Sequence, residues 1–220
     1  MSSLKHVVHG GAPRAGEVKR ERSAWWGPVI FEYYGGTETG AVTYCSSQEA
    51  LKKPGTVGRA VPDATIKILD ENGQECPTGT AGEVFVRVHS LPDFTYQGLP
   101  EERAKVEKDG LITCGDVGHL DEDGYLFLTD RKRDMVISGG SNIYPAQVEA
   151  ALLRHPDILD CAVFGLPDAE MGEKVVLAAL LQPGQMLTLA QLKADMEGKI
   201  ASYMLPREMF VVDSLPRDPS

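Results

Sequence analysis

Short runs rich in β-branched and aromatic residues, each closed by a turn signal, fill the chain as far as Asp130 and restrict that part to a sheet-based fold. "LKHVVHG", "PVIFEYYG", "ATIKILD", "GEVFVRV" and "YLFLTD" read as strands. Asn72-Gly73, Pro77 to Gly79, Asp109-Gly110 and Asp123-Gly124 supply the turns. Asp123-Gly124 has hairpin chemistry, because glycine and a short acidic residue both tolerate positive φ. Beyond Asp130 the texture changes. "YPAQVEAALLRHP" has helical spacing, with Pro145 suited to a first turn and Val148, Ala151 and Leu152 on one face. "TLAQLKADMEGKI" is a second helical segment, with Thr188 placed as its N-cap and Leu189, Leu192 and Met196 apolar. "ILDCAVFGL", "KVVLAALLQPG" and "EMFVVDSLP" read as strands. The expectation is an α+β chain: a mainly β part over residues 1–132 and a small α/β domain over 133–220, joined inside "TDRKRD".

Charge narrows the partners. There are 22 Lys and Arg against 32 Asp and Glu, a net charge of -10. A nucleic-acid binder normally presents a basic surface, so that role is disfavoured. An anionic small ligand is still open to an acidic protein, since backbone N–H groups can cradle phosphate locally. No apolar run reaches membrane-spanning length, and "MSSLKHVVHG" lacks a signal-peptide core. Cys45, Cys76, Cys114 and Cys161 form no CxxC pair, which argues against zinc or a disulfide framework and fits a cytoplasmic protein. His6 and His9 invite a metal reading, but no carboxylate or cysteine lies near them in sequence and their segment reads as a strand.

Two stretches carry chemical content. In "YYGGTETG" the glycines let backbone approach a ligand, Thr37 offers a hydroxyl, Glu38 a hard oxygen for Mg²⁺ and Tyr34 a flat face. Taken alone, the octapeptide reads equally as a glycine-rich turn after a strand. In "DRKRDMVISGGSNIYP" five charges precede a β-branched run and a glycine pair, a pattern that alone describes a polar linker and a turn. "HGGAP" is another glycine turn after a strand. Asp116, in "TCGDVG", can accept from both hydroxyls of a ribose, and Arg131 can donate to ribose or phosphate oxygens.

In this order along nearly the whole chain, these segments resemble the adenylate-forming (AMP-binding) enzymes: acyl-CoA synthetases, luciferases and peptide-synthetase adenylation domains. "YYGGTETG" resembles the family's Tyr-Gly-x-Thr-Glu motif, and "TCGDVG" its Thr-Gly-Asp motif with Cys114 inserted. "DRKRDMVISGGSNIYPAQVE" is similar to its hinge motif, and "ASYMLPREMFVVDSLPRDPS" to the approach to its last motif. The resemblance implies residues 1–132 as the C-terminal part of a large AMP-binding domain and 133–220 as the small lid domain. It places Gly10, Gly11 and Ala12 at the adenine edge, Tyr34 stacked on the base with Gly35 beside it, Thr37 on phosphate oxygens and Glu38 on Mg²⁺. Asp116 and Arg131 would hold the ribose. Arg133 would be the hinge, where relatives usually carry Asp or Lys. Gly139 and Gly140 would line the pantetheine tunnel of CoA. A hinge flanked by solvated charges lets one site serve two chemical steps.

The family's early phosphate loop has no counterpart here, and its final Gly-Lys would follow Ser220. "GKI" at 198 to 200 lies in a helical pattern, and Met204 stands where many relatives have Lys. The chain is therefore expected to be the C-terminal portion of an ATP-dependent acyl-CoA synthetase whose N-terminal half is missing, inactive by itself. Gly35 and Gly36, in place of a pocket-closing Trp, suggest a medium, long or bulky acid, such as a fatty acid. Alternatives are a module loading a carrier protein, a luciferase-like oxidising member and a non-catalytic nucleotide-binding fragment.

Overall fold

The computed structural model describes residues 3–10 and 16–216. The chain divides into two compact units, Met1–Thr129 and Asp130–Ser220.

The first unit contains β1 (Val7–His9), α1 (Gly16–Trp26), β2 (Ile30–Gly36), β3 (Gly40–Ser46), α2 (Ser47–Lys52), β4 (Thr56–Ala60), β5 (Ala64–Leu69), β6 (Gly82–Val88), α3 (Pro100–Lys105), β7 (Glu107–Lys108), β8 (Leu111–Leu120) and β9 (Tyr125–Arg131). The strands form one sheet in the order β1-β2-β3-β4-β9-β8-β6-β5, with β7 added to β8. β1 runs parallel to β2, and the β2–β3, β3–β4, β4–β9, β5–β6 and β6–β8 pairs are antiparallel. Val42, Val57, Ile68, Val84, Val86, Val88 and Leu126 form its core, with Tyr34 packed against them. Burying such side chains contributes about 1.5–3 kcal/mol each. Turn chemistry works as the sequence suggests at Asp123-Gly124. Gly124 has φ +77, and Asp121 Oδ1 accepts from the N–H groups of Asp123 and Tyr125 at 3.0 and 2.9 Å.

Three helices interrupt this β part where the strand reading had none. α1, "GEVKRERSAWW", is too charged to show an apolar stripe. Lys19 of α1 reaches back to pair with the buried Glu32 of β2. α3 starts with Pro100 at its first position. α2 is only six residues, but Ser46 and Glu49 close it with a reciprocal capping box. The Ser46 hydroxyl accepts from Glu49 N–H, and Glu49 Oε2 accepts from Ser46 N–H at 2.9 Å and from its hydroxyl at 2.7 Å. These Ser46 hydrogen bonds, hydroxyl first and then backbone, hold the Glu49 carboxyl below its ordinary value. A depressed carboxylate stabilises the fold above its unfolded pKa, and that contribution is lost as pH falls through the folded pKa. Glu49→Gln should therefore lower the urea midpoint at pH 7 and lose that deficit in acid, which parallel titrations at pH 7 and pH 3 would show.

The second unit opens with a 3-10 turn over Lys132–Asp134. It continues through β10 (Val136–Ser138), β11 (Ser141–Ile143), α4 (Pro145–Leu152), β12 (Ile158–Asp168), β13 (Gly172–Leu181), α5 (Leu189–Met196) and β14 (Glu208–Val211). Its sheet runs β11-β10-β13-β12, with β14 parallel to β13. Val148 and Leu152 of α4, Leu192 and Met196 of α5, and Val163, Val175 and Leu177 of the sheet share one buried core. Pro145 occupies the first turn of α4, and Thr188 caps α5 in a box with Gln191. The Glu149 carboxylate of α4 accepts from Val163 N–H, on the edge of β12 away from β13, at 2.8 Å.

Candidate functional site

The "YYGGTETG" segment is the β2–β3 hairpin. Its tip is closed by Thr39, which is buried, accepts from Gly36 N–H at 2.8 Å through Oγ1 and donates its own N–H to Gly36 O at 3.3 Å. Thr37 is left exposed at the tip and Glu38 half-buried. The register shifts between Tyr34 and Gly35, and a Cβ on Gly35 would lie 1.7 Å from the Gly40 carbonyl oxygen. The missing side chain at Gly35 is thus required by the hairpin's own backbone, and it carries no information about the length of an acyl pocket.

Tyr34 extends from β2 over the core and donates its hydroxyl to Asp116 Oδ2 at 2.7 Å, across 82 residues of sequence. Its backbone N–H is taken by Thr43 Oγ1 at 3.3 Å, and Thr43 donates to Val57 O at 2.5 Å, fixing β2 where Tyr34 leaves it. Asp116 sits mid-way along β8, after Gly115 at φ +76. Thr113, which precedes this turn, is buried. Its hydroxyl donates to Glu83 Oε1 at 2.9 Å and accepts from Gly115 N–H at 2.9 Å, so it shapes the turn.

Glu38 Oε1 accepts from the Tyr96 hydroxyl at 3.0 Å, a partner that no motif in the sequence singled out. Glu38 Oε2 and Cys114 Sγ lie 3.4 and 3.5 Å from the point that a Cβ on Gly36 would occupy. The carboxylate therefore has one oxygen held and the other beside a glycine-lined space. That fits Mg²⁺, which commonly takes one or two carboxylates with the rest from phosphates and water. Among the described residues no group of three or more His, Cys, Asp and Glu gathers to hold a metal without such help.

Of the other predicted residues, Gly10 follows β1 and packs under the Tyr33 ring, 2.4 Å from where its Cβ would be. Gly11 and Ala12 lie outside the described residues. Arg131 is exposed at the end of β9, whose last two residues fall in the second unit. Arg133 is 74% exposed and pairs only loosely with its neighbour Asp134, at 3.4 Å. Gly139 and Gly140 have φ +58 and +79 at the tip between β10 and β11. Met171 covers Gly139, with Cε 2.5 Å from a notional Cβ, while nothing lies within 4 Å of the same point on Gly140. Any thin ligand arm would meet open space at Gly140.

A separate, small cleft lies between α1, α2 and β2, lined by Lys19, Glu32, Ser47 and Cys45 among others. Lys19 pairs with Glu32, and Ser47 Oγ both donates to and accepts from the Ile30 backbone. Burial, then the Glu49 charge, pushes the Cys45 thiol up to about 11, so it is no nucleophile at neutral pH.

Two family models match this chain: the AMP-binding enzyme over residues 1–91, and the AMP-binding enzyme C-terminal domain over residues 147–220. An indoleacetate–CoA ligase from Aromatoleum aromaticum is 37% identical over 99% of the chain and 42% of the relative. A fatty acid–[acyl-carrier-protein] ligase, ScoC, from Streptomyces coeruleorubidus is 34% identical over all of the chain and 43% of the relative. ATP-bound MatB from Rhodopseudomonas palustris superposes with a TM-score of 0.88 at 33% identity, over 97% of the chain and 42% of MatB. The chain belongs to the AMP-binding, adenylate-forming enzymes, a family of acid ligases. It spans about two fifths of the length of the curated relatives it matches.

Proposed function

We propose that the full-length protein activates a carboxylic acid with ATP and transfers the acyl group to the thiol of CoA. The observation that carries this reading is the Tyr34–Asp116 hydrogen bond, which joins the two patches with nucleotide-binding chemistry. In the first half-reaction the acid's carboxylate attacks the α-phosphorus of ATP and pyrophosphate leaves, giving an acyl-adenylate. In the second, a thiol attacks the acyl carbon; the C–S bond forms, AMP leaves and the thiol proton goes to solvent.

The residues act as follows. Asp116 accepts from the ribose hydroxyls, Arg131 donates to ribose or phosphate oxygens, and the Tyr34 ring, Gly10, Gly11 and Ala12 bound the adenine. Thr37, exposed at the hairpin tip, donates to phosphate oxygens. Mg²⁺ held through Glu38 would offset phosphate charge. Arg133 is the pivot, its solvated side chain leaving no packed contact to fix one orientation. Gly140, with Gly139 behind it, lines the path of the pantetheine arm. A fatty acid is one candidate substrate, named for one relative, and an aryl acid such as indoleacetate is another. The four cysteines, none in a CxxC pair, suit a reducing, cytoplasmic setting.

Acid-dependent exchange of labelled pyrophosphate into ATP by the full-length enzyme, over a panel of aryl and fatty acids, tests the reading. Exchange with none of them would sink it. ScoC favours a second reading, in which a carrier-protein thiol is the acceptor. Offering CoA and an acyl-carrier protein to the preformed acyl-adenylate separates the two. The 220-residue chain alone should bind AMP weakly and not catalyse exchange.

A further inference from the structure

We propose that Tyr96 is a positioning residue for the Glu38 carboxylate, and that it sits at the end of a column of side chains running from Asp93 through Arg103 and Phe94. The inference rests on the metal role given to Glu38 above. Tyr96 lies in the irregular segment between β6 and α3, a stretch whose backbone has little regular structure to hold it. Its position is set by side chains instead. The Phe94 ring meets the Tyr96 ring edge-on, with centroids 5.4 Å apart at 79°. The Arg103 guanidinium lies over Phe94 at 4.6 Å from the ring centre. Arg103 is itself only 11% exposed and donates to Asp93 Oδ1 at 2.9 Å, while the same oxygen accepts from Phe94 N–H at 3.0 Å. Edge-to-face and cation–π contacts are both attractive arrangements of an aromatic ring.

The segment also touches the hairpin a second time. Leu91 Cδ1 lies 2.4 Å from where a Cβ on Gly40 would be, so the chain leaving β6 is seated on the β2–β3 turn. Held at both places, Tyr96 delivers its hydroxyl to Glu38 Oε1 and leaves Oε2 facing the space beside Gly36. A carboxylate with one oxygen fixed presents the other at a defined angle. Without Tyr96 it would rotate among several, and a cation demanding near-ideal octahedral geometry would lose affinity.

The test is made on the full-length enzyme with Mn²⁺ in the presence of a non-hydrolysable ATP analogue. Binding is read from water-proton relaxation, and the unfolding midpoint is followed alongside. Tyr96→Phe should raise the half-saturating Mn²⁺ concentration about fivefold, the loss of one ordinary hydrogen bond, with the midpoint unchanged. Glu38→Gln should raise it further. Phe94→Leu, which keeps the hydroxyl but removes its support, should also weaken Mn²⁺ binding. The Mg²⁺ concentration needed for pyrophosphate exchange should rise in Tyr96→Phe by the same factor. If Glu38→Gln weakens Mn²⁺ binding but Tyr96→Phe leaves it unchanged, the positioning role is overturned and the metal role of Glu38 stands. If Glu38→Gln also leaves it unchanged, the metal role falls and the inference falls with it.

Discussion

Asp116→Ala in the full-length enzyme should lower kcat/KM for ATP by at least about a hundredfold while leaving the unfolding midpoint within about two degrees. Hydrogen bonds to a charged acceptor contribute about 1.5–3 kcal/mol each, and a carboxylate gripping both ribose hydroxyls makes two of them. Asp116 is only half-buried on β8, so water can reach the groups that its removal uncovers, the Tyr34 hydroxyl among them. Tyr34→Phe removes that hydroxyl but keeps the ring, and should cost about fivefold. Combining the two changes gives a double-mutant cycle. A coupling energy near zero would mean that the 2.7 Å contact does not orient Asp116 for its ligand. If Asp116→Ala changes the ATP dependence less than about fivefold, the contact is architectural and the nucleotide lies elsewhere.

Gly35→Ala carries the other large effect, and it is on stability. A Cβ at this position would sit 1.7 Å from the Gly40 oxygen and 2.8 Å from its carbonyl carbon. Both are backbone atoms, with no flexible side chain to move aside. The hairpin would have to open at its bulge, breaking the turn that Thr39 closes. Forcing a substituent into backbone of this kind costs about 3 kcal/mol or more, a large part of the stability of a domain this size. The expected result is a fall in the urea midpoint of the first unit, or failure to accumulate folded protein. Gly36→Ala is the control, because its nearest neighbours at 3.4 and 3.5 Å are ends of side chains. If Gly35→Ala folds normally and instead changes which acids are accepted, the backbone explanation is wrong and Gly35 shapes the acyl pocket.

That pair of outcomes shows where reading the sequence stops. A glycine that makes room for a ligand and one that makes room for its own chain look the same in one dimension, since both need only the absence of Cβ. Local signals were legible. Pro145, Thr188 and Asp123-Gly124 act through neighbours within a few residues, and each does in three dimensions what its chemistry implies. The capping signature Ser46-x-x-Glu49 was equally visible, yet α2 was absorbed into a β reading because a six-residue helix has no room for periodicity. α1 was lost for the opposite reason, since its charges hide any stripe. The meeting of Tyr34 with Asp116 spans 82 residues, and only resemblance to a family suggested it. Tyr96 is invisible in the sequence, because the column that holds it is made of three side chains, Asp93 and Phe94 from an irregular segment and Arg103 from α3, with no repeating pattern.

The Glu149 carboxylate on the rim of β12 has a bearing on how the protein behaves in concentrated solution. Strands at the margin of a sheet expose amides that another molecule can pair with, and such pairing seeds fibrils. β12 would be a ready template, since Leu159 and Phe164 stand out from it into solvent. By occupying the Val163 amide from within the same molecule, Glu149 removes one donor from that margin.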